Sequence, residues 1–335
     1  MRAGLAIMAV IAAVGGLSLV VLPDEGKKNG KKGNGDGDDG RVAVVAPAGT
    51  AAVPPVAAAV ADSAAGFSCR QDAAGIQLPN AVHESSGLAL AEGGDFLWTH
   101  NDSGQQPTLY RVGMDGRPRG QVNVVGARVQ DWEDVAAGPC PGGGRCLFVG
   151  DIGDNGANRP SITIYRFPEP ATGDAQTLLP PDAFTASYPE GPQDAEALFV
   201  LPDGAVYVVT KGETGPVAIY QLPRDARPGT VARLTRVAQL NADDVKRAER
   251  ITGAAASPDG TWLALRTLRT VSFYRTGNLS GGSLGAPLTF DLRPLQEPQG
   301  EAVEFGPDGT IHLSSEGGKR ATPATLSRLR CMLPS

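Results

Sequence analysis

A short sequence pattern recurs five times between residues 84 and 330, and it constrains the fold more than any other feature of the chain. In each repeat a polar residue stands at the start of a short strand of small apolar residues, and a turn and two further strands follow. These polar residues are spaced 47, 63, 56 and 49 residues apart: Ser86, Glu133, Glu196, Thr252 and Glu301. Repeats of this length are typical of β-propeller blades. We therefore predict an all-β chain that forms a five-bladed β-propeller with four-stranded antiparallel blades.

The turns and the composition support this prediction. Pro-Asp-Gly follows the first strand in the last three repeats, at 202–204, 258–260 and 307–309, and these residue types favour tight turns. The chain has 44 glycines and 27 prolines but only 5% aromatic residues, a balance that suits many short strands. A six-bladed ring remains the alternative, with a degenerate blade hidden in residues 168–190 or 224–249.

The cysteines indicate how the ring closes. The last repeat has three evident strands, so the segment from Cys69 to Leu78 is expected to supply its fourth strand. Cys69 and Cys331 would then lie on neighbouring strands, within reach of a disulfide. Cys140 and Cys146 are expected to bridge their own short loop. Since there is no C-x-x-C pair, disulfides in an oxidising compartment are favoured over a zinc site.

The N-terminal part predicts export. Residues 1–23 contain an apolar run long enough to span a bilayer, which reads as a membrane anchor or a cleaved signal peptide. Residues 24–65 are low in complexity and predict a disordered linker. The propeller domain is expected over 66–335. Lysines after the apolar run favour a cytoplasmic domain by the positive-inside rule, whereas the cysteines favour an extracytoplasmic one, and we follow the cysteines.

The charge limits the partners. A net charge of −6 disfavours nucleic acid and anionic membrane surfaces. We expect a monomer that contacts the membrane only through its N-terminal segment and takes a small-molecule or cell-envelope ligand.

The repeat also predicts a metal site. The start of the first strand and the end of the second are neighbours in an antiparallel hairpin, so their loops share one mouth of the central channel. Five oxygen-bearing side chains would point at the axis there: Ser86, Glu133, Glu196, Thr252 and Glu301. Three carboxylates this close repel one another, and a hard cation relieves the repulsion. We expect Ca²⁺, which accepts six to eight oxygen ligands, with a solvated acidic rim as the alternative.

Other charged residues at this mouth are candidates for catalysis. Asp102, Asp131 and Asp151 are candidate general bases. Lys211 and Arg266 follow second strands, where they are expected either to pair with the carboxylates or to hold an anionic group of a substrate. His100 is a further acid–base candidate or a hydrogen-bonding rim residue.

Two resemblances rest on these motifs. Ser85-Ser86-Gly87-Leu88, Asp131-Trp132-Glu133-Asp134 and Asp194-Ala195-Glu196-Ala197 resemble a widespread group of bacterial exported propellers without an assigned activity. The order Ser, Glu, Glu, Thr, Glu is similar to that in calcium-activated nucleotidases of the apyrase type, five-bladed propellers whose calcium is held by Ser, Glu, Glu, Ser and Glu. This resemblance implies the same ligand set here, and Asp102 as a match to an acidic residue of that family.

Two functions follow as hypotheses. One is a calcium-dependent extracytoplasmic hydrolase of phosphoesters or phosphoanhydrides. The other is a non-catalytic cell-envelope binding or scaffold propeller in which calcium only stabilises the ring.

Overall fold

The described residues form five sheets, each built on four antiparallel strands. The computed structural model describes residues 66–102, 106–171, 177–178, 180–318 and 322–335. The segments predicted as an anchor or signal peptide (1–23) and as a linker (24–65) lie outside the described residues. Among the residues that are described, no helix is long and apolar enough to cross a membrane.

Each sheet is one blade, and its strands follow one another outward from the axis. Blade 1 consists of Ser85–Leu90, Phe96–Asn101, Thr108–Gly113 and Pro118–Val124. Blade 2 consists of Trp132–Pro139, Arg145–Asp151, Ile162–Pro168 and Asp182–Ser187. Blade 3 consists of Ala195–Val200, Val206–Thr210, Ala218–Gln221 and Thr235–Gln239. Blade 4 consists of Ile251–Ala256, Trp262–Thr267, Thr270–Arg275 and Leu288–Asp291. The five-bladed prediction is confirmed.

Blade 5 closes the ring as predicted. Its inner three strands are Gln299–Phe305, Thr310–Glu316 and Thr325–Met332, and its outer strand is the N-terminal Ser68–Gln77. Cys69 lies opposite Cys331 in this pairing, and the two form a disulfide with a Cα–Cα distance of 4.1 Å. Cys140 and Cys146 form the second predicted disulfide.

The six-bladed alternative is wrong, because the two regions proposed for a hidden blade complete blades that already exist. They supply the outer strands of blades 2 and 3. In addition, Thr177–Leu178 pairs in parallel with the outer strand of blade 1, and Val231–Arg233 pairs in parallel with that of blade 2. Each of these two blades therefore carries a fifth strand taken from the connection of the blade that follows it. Within the ranges that the structure describes there are also four short 3₁₀ helices: Arg247–Glu249, Thr276–Gly281, Arg293–Leu295 and Pro307–Gly309.

The apolar core lies between the blades. Five buried clusters fill the gaps between successive blades, including the gap between blades 5 and 1. The inner strands approach one another closely because they contain small residues. At Gly253, for example, an added methyl group would lie 3.1 Å from the Cα of Ala302 in the next blade. Small residues on the inner strands thus let five blades meet around one axis, and they bring the polar residues at the strand starts to one mouth.

Candidate metal site at one mouth of the channel

The five polar residues of the repeat share a backbone irregularity. In every inner strand the pairing with the second strand shifts register at this position. At Glu133 and Glu196, for example, one residue is left over between two regular pairs. Such β-bulges redirect side chains and are common beside functional sites. The bulges thus turn these side chains out of the regular strand alternation, at the same end of every inner strand.

Three glutamates of the repeat are almost completely buried. Glu133, Glu196 and Glu301 are 4%, 7% and 5% exposed. Burial raises the pKa of Glu133 well above its ordinary value, and the carboxylate of Glu196 adds to the rise. Burial and Glu196 have the same effect on the pKa of Glu301. The charge of Glu196 acts on both of the other glutamates, and all three stand at the same end of their inner strands.

Glu133 also belongs to a second, more closely spaced group of carboxylates. Asp102, Asp131 and Glu133 each offer an oxygen within 4.8 Å of the others, and they are the one such group of three or more potential metal ligands among the described residues. Burial, followed by the charge of Asp102, raises the pKa of Asp131 to about 6. An added methyl group on Gly153 would overlap the carboxylates of Glu133 and Asp131. A glycine thus leaves the space that these two carboxylates fill.

Asp151 holds Asp131 in place. Its carboxylate accepts hydrogen bonds from the backbone N–H groups of Gln130 and Asp131 and pairs with Arg159 at 2.9 Å. Asp151 is only 3% exposed. This differs from the predicted role of Asp151 as a general base, because its oxygens are already engaged in fixing the loop. Sequence reasoning missed Arg159, whose position just after the Asp- and Asn-rich loop at 150–156 was the available signal.

Lys211 lies among the carboxylates of blade 3. Its ammonium group pairs with Glu196 and lies 3.4 Å from Asp194. Burial lowers the pKa of Lys211, but the charges of Glu196 and Asp194 outweigh it and raise the pKa overall. Of the two roles predicted for this lysine, pairing with the carboxylates is the one observed. The side chain is still 17% exposed, so it remains accessible at the mouth.

Arg266 does not reach solvent. Its side chain is 0% exposed, pairs with Glu297, and donates to the carbonyl oxygens of Ala302 and Ser314 at 2.6 and 2.8 Å. The structure contradicts the prediction that Arg266 could hold a substrate anion, since its guanidinium group is buried in an ion pair with Glu297. Glu297, its partner, was not singled out from the sequence.

The two hydroxyl residues of the repeat make contacts between blades. Ser86 donates a hydrogen bond to the carbonyl oxygen of Glu133 at 2.7 Å, and Thr252 donates to that of Glu301 at 3.0 Å. Each hydroxyl therefore fixes the backbone of a glutamate in the next blade. The sequence predicts both as direct metal ligands, whereas the contact observed for each hydroxyl is with a backbone carbonyl oxygen.

His100 is buried beneath the mouth. It is 0% exposed, packs edge-on against Trp132, and its Nδ1 lies 2.9 Å from the carbonyl oxygen of Asn101. Burial lowers the pKa of His100 to about 4, so the ring is neutral at physiological pH. The geometry favours a structural role over acid–base chemistry.

Comparison with known proteins supports the fold. No protein-family model and no curated protein matches the chain. The PQQ-bound aldose sugar dehydrogenase from Streptomyces coelicolor is 12% identical, with a TM-score of 0.50 over 79% of this chain and 98% of that one. Regucalcin from Agrobacterium tumefaciens, described as a calcium-binding protein, is 13% identical over 75% and 92% of the two chains, with a TM-score of 0.45.

A gluconolactonase from Xanthomonas campestris is 13% identical over 83% of this chain and 93% of that one, with a TM-score of 0.43. At identities this low the likeness to the dehydrogenase shows a shared fold alone, and the other two carry no argument about activity. These likenesses do not test the resemblance to calcium-activated nucleotidases, which stays a prediction.

Proposed function

We propose that the chain is an exported, calcium-binding propeller whose ion is held by Asp102, Asp131 and Glu133. The observation that carries the proposal is this group of three carboxylates, which approach within 4.8 Å of one another. Glu133 lies at the start of the inner strand of blade 2, Asp131 just before that strand, and Asp102 just after the second strand of blade 1. Folding therefore brings together charges that repel unless a cation joins them. All the donor atoms are oxygens, which suits a hard cation such as Ca²⁺ and not a metal that prefers nitrogen or sulfur.

The rest of the predicted ligand ring supports the site without joining the tight group. Glu196 and Glu301 stand at the equivalent ends of their inner strands, and the charge of Glu196 raises the pKa of both Glu133 and Glu301. Ser86 and Thr252 fix the backbone beneath two of the glutamates. The two disulfides agree with export, because such bonds persist in oxidising compartments.

In the enzymatic form of this proposal the chain hydrolyses phosphoesters or phosphoanhydrides. Bound calcium would polarise a substrate oxygen or lower the pKa of a water molecule. A carboxylate has two oxygens, so Asp131 can offer one to the ion and accept a proton on the other. The pKa of Asp131 is about 6 without the ion, and bound calcium would lower it, which keeps the carboxylate in the charged form that accepts a proton. Lys211, whose side chain is 17% exposed at the mouth, would bind an anionic substrate group.

A non-catalytic binding or scaffold propeller is the second candidate, and the ion pairs of Lys211 favour it. An ammonium group already paired with Glu196 and Asp194 is less available to a phosphate. The surrounding carboxylates would also repel an anionic substrate. In this form of the proposal, bound calcium only holds the blades together.

Calcium binding is tested by thermal melts of the purified full-length chain in calcium and in chelator. An ion that binds only the folded state at 100 times its dissociation constant adds about 2.7 kcal/mol to the free energy of unfolding. We expect calcium to raise the melting temperature by a few degrees. Glu133→Gln should abolish most of the rise. Glu316→Gln, which removes a charge from the same mouth outside the tight group, should retain it.

Equal melting temperatures in calcium and chelator would refute the calcium site. Hydrolysis of p-nitrophenyl phosphate and of nucleoside triphosphates, with and without calcium, separates the two candidates. Calcium-dependent turnover that is lost in Asp131→Asn supports the enzyme. Calcium stabilisation without turnover of either substrate supports the scaffold.

A further inference from the structure

The proposed calcium position between blades 1 and 2 has a counterpart between blades 2 and 3. Each position contains an aspartate just before an inner strand and a glutamate at the bulge of that strand. The two pairs are related by a spacing of 63 residues: Asp131 and Glu133 in blade 2, and Asp194 and Glu196 in blade 3. The propeller therefore presents the same pair of carboxylates twice at this mouth.

The two positions differ in the residue that follows the second strand of the blade. This residue is Ile152 in blade 2 and Lys211 in blade 3. The two residues are equivalent, because each donates its backbone N–H to the carbonyl oxygen of the aspartate before the inner strand. The N–H of Ile152 donates to Asp131 at 3.1 Å, and that of Lys211 donates to Asp194 at 2.9 Å. The repeat thus places an ammonium group beside the second pair of carboxylates, and an isoleucine at the equivalent place beside the first.

Oxygen atoms from two blades surround the ammonium group of Lys211. It pairs with Glu196 and lies 3.4 Å from Oδ2 of Asp194, both in blade 3. It also donates a hydrogen bond to Oδ1 of Asn155 at 3.1 Å. Asn155 follows the second strand of blade 2, just as Asp102 of the calcium group follows that of blade 1. Carboxylate and amide oxygens drawn from two neighbouring blades are the ligands that a hard cation prefers.

Asp194 keeps one oxygen available at this position. The residue is 2% exposed, and its Oδ1 accepts the backbone N–H of Asp154 at 2.8 Å, which fixes the side chain. Its Oδ2 has no hydrogen-bond partner among the described residues, although the ammonium group of Lys211 lies 3.4 Å away. A buried oxygen is costly without a close partner. This oxygen would therefore gain from a cation that approaches more closely than the lysine does.

The charges at this position match a divalent cation once the lysine is removed. Glu213 lies 3.7 Å from the ammonium group of Lys211, and Arg250 neutralises it through an ion pair of 2.7 Å. Asp194 and Glu196 then carry two negative charges, of which the lysine offsets one. Calcium binds oxygen at about 2.3–2.6 Å, so the ligands would have to move inward. Glu213 lies in a loop and is 31% exposed, which allows it to adjust.

We propose that the place of the Lys211 ammonium group is a second cation position of the mouth, and that this lysine, as its resident cation, limits the mouth to one divalent ion. Removal of the lysine charge opens the position to Ca²⁺, with Asp194 and Glu196 as its principal ligands. The inference goes beyond the proposed function and does not depend on it, because the second position is built from residues outside the group of Asp102, Asp131 and Glu133.

The test counts the calcium ions bound by each full-length chain. Equilibrium dialysis with radioactive calcium gives this number, in about 0.15 M salt so that weak binding at surface charges is screened. We expect one ion for the parent and two for Lys211→Met. Lys211→Arg keeps the positive charge and should bind one ion, as should Lys246→Met at an exposed lysine.

Further variants keep the test decisive if Lys211→Met folds poorly. Lys211→Gln removes the charge but keeps a hydrogen-bond donor, and it should also bind two ions. Adding Glu196→Gln to either variant removes a ligand of the second position alone and should return the count to one. Thermal melts check the folding of each chain. Calcium should raise the melting temperature of Lys211→Gln by more than that of the parent, since two ions then bind only the folded state.

The possible results separate this proposal from the proposed function. One ion in the parent and one in both uncharged Lys211 variants would overturn the second position and leave the first intact. Two ions in the parent would overturn the role of the lysine. No ion in the parent but one in the uncharged variants would refute the calcium group of Asp102, Asp131 and Glu133 and support the second position. No ion in any chain would overturn both.

Discussion

At the level of single residues, the acidic mouth combines several carboxylates of raised pKa with one accessible lysine. Glu196 shows the balance most clearly. Burial raises its pKa to about 7, although Lys211 acts to lower it. Lys211 thus offsets part of the cost of burying Glu196 and Asp194.

Replacement of Lys211 by methionine should therefore destabilise the protein. The change leaves Glu196 and Asp194 buried without their partner, and breaking such a pair lowers the free energy of unfolding by up to about 3 kcal/mol. The loss should be largest at pH 8 and smaller at pH 5, where Glu196 is protonated. Urea unfolding at both pH values measures it, with Lys246→Met as a control at an exposed lysine. A loss of equal size at both pH values would contradict the role assigned to Glu196.

In the protein without calcium, Asp131 lowers the stability as the pH rises, whereas Lys211 contributes more stability at high pH than at low pH. Its pKa is about 6 in the folded protein against an ordinary value of 3.8. The folded state therefore binds the proton more tightly, and this contribution to stability is present below pH 4 and lost as the pH rises through 6. In chelator, Asp131→Asn should be more stable than the parent at pH 7.5 by about 1 kcal/mol, after allowance for solvent screening. The difference should vanish near pH 4. A variant that is less stable than the parent at pH 7.5 would show that Asp131 is not under repulsion.

Much of this site was predictable from the sequence because it repeats. Five blades place equivalent residues at equivalent positions, so the convergence of Glu133, Glu196 and Glu301 follows from the repeat spacing alone. The partners of these residues do not repeat. Arg159 and Glu297 come from loops of irregular length, and no periodic signal indicates that they neutralise Asp151 and Arg266.

At the level of the elements, the bulges and the glycines shape the site. Pro-Asp-Gly turns are readable from sequence because their glycines need positive φ, and Gly204 and Gly260 have φ values of 81° and 71°. The sequence does not predict the short strands Thr177–Leu178 and Val231–Arg233, which pair in parallel with blades 1 and 2, since segments of two or three residues have no periodicity. This is why their regions resembled a hidden blade.

Replacement of Gly153 should weaken calcium binding, because this glycine lies against two of the proposed ligands. The loop that follows the second strand of blade 2 passes so close to Glu133 and Asp131 that a methyl group would displace their carboxylates. Gly153→Ala should therefore reduce the affinity for calcium about tenfold, as expected when ligands are moved out of position. Isothermal titration with calcium measures the affinity. Gly277→Ala, where a methyl group meets nothing within 4 Å, should bind calcium as the parent does. An unchanged affinity in Gly153→Ala would place the ion elsewhere.

At the scale of the whole propeller, the ring is held by contacts between blades and by one closure. Each blade packs on its neighbours through a separate apolar cluster, so no single centre holds the five together. The gap between blades 5 and 1 is the one that the chain must close by joining its two ends. The outer strand from the N-terminal side and the Cys69–Cys331 bridge do this.

The two disulfides should accordingly differ in their effect on stability. Cys69 and Cys331 are 262 residues apart in sequence, whereas Cys140 and Cys146 are 6 apart. In the chain-entropy model the first bridge stabilises the fold by about 5 kcal/mol and the second by about 2 kcal/mol. We expect the Cys69→Ala/Cys331→Ala variant to melt at a clearly lower temperature than Cys140→Ala/Cys146→Ala. The comparison is matched, because each pair contains one buried and one half-buried cysteine, so the loss of apolar contact is similar.

Hydrogen exchange should then show faster exchange in Ser68–Gln77 of the Cys69→Ala/Cys331→Ala variant, since that strand is held to the sheet by only one neighbour. Equal melting temperatures for the two variants, with this strand still protected, would mean that backbone pairing and the cluster between blades 5 and 1 close the ring without the covalent bond.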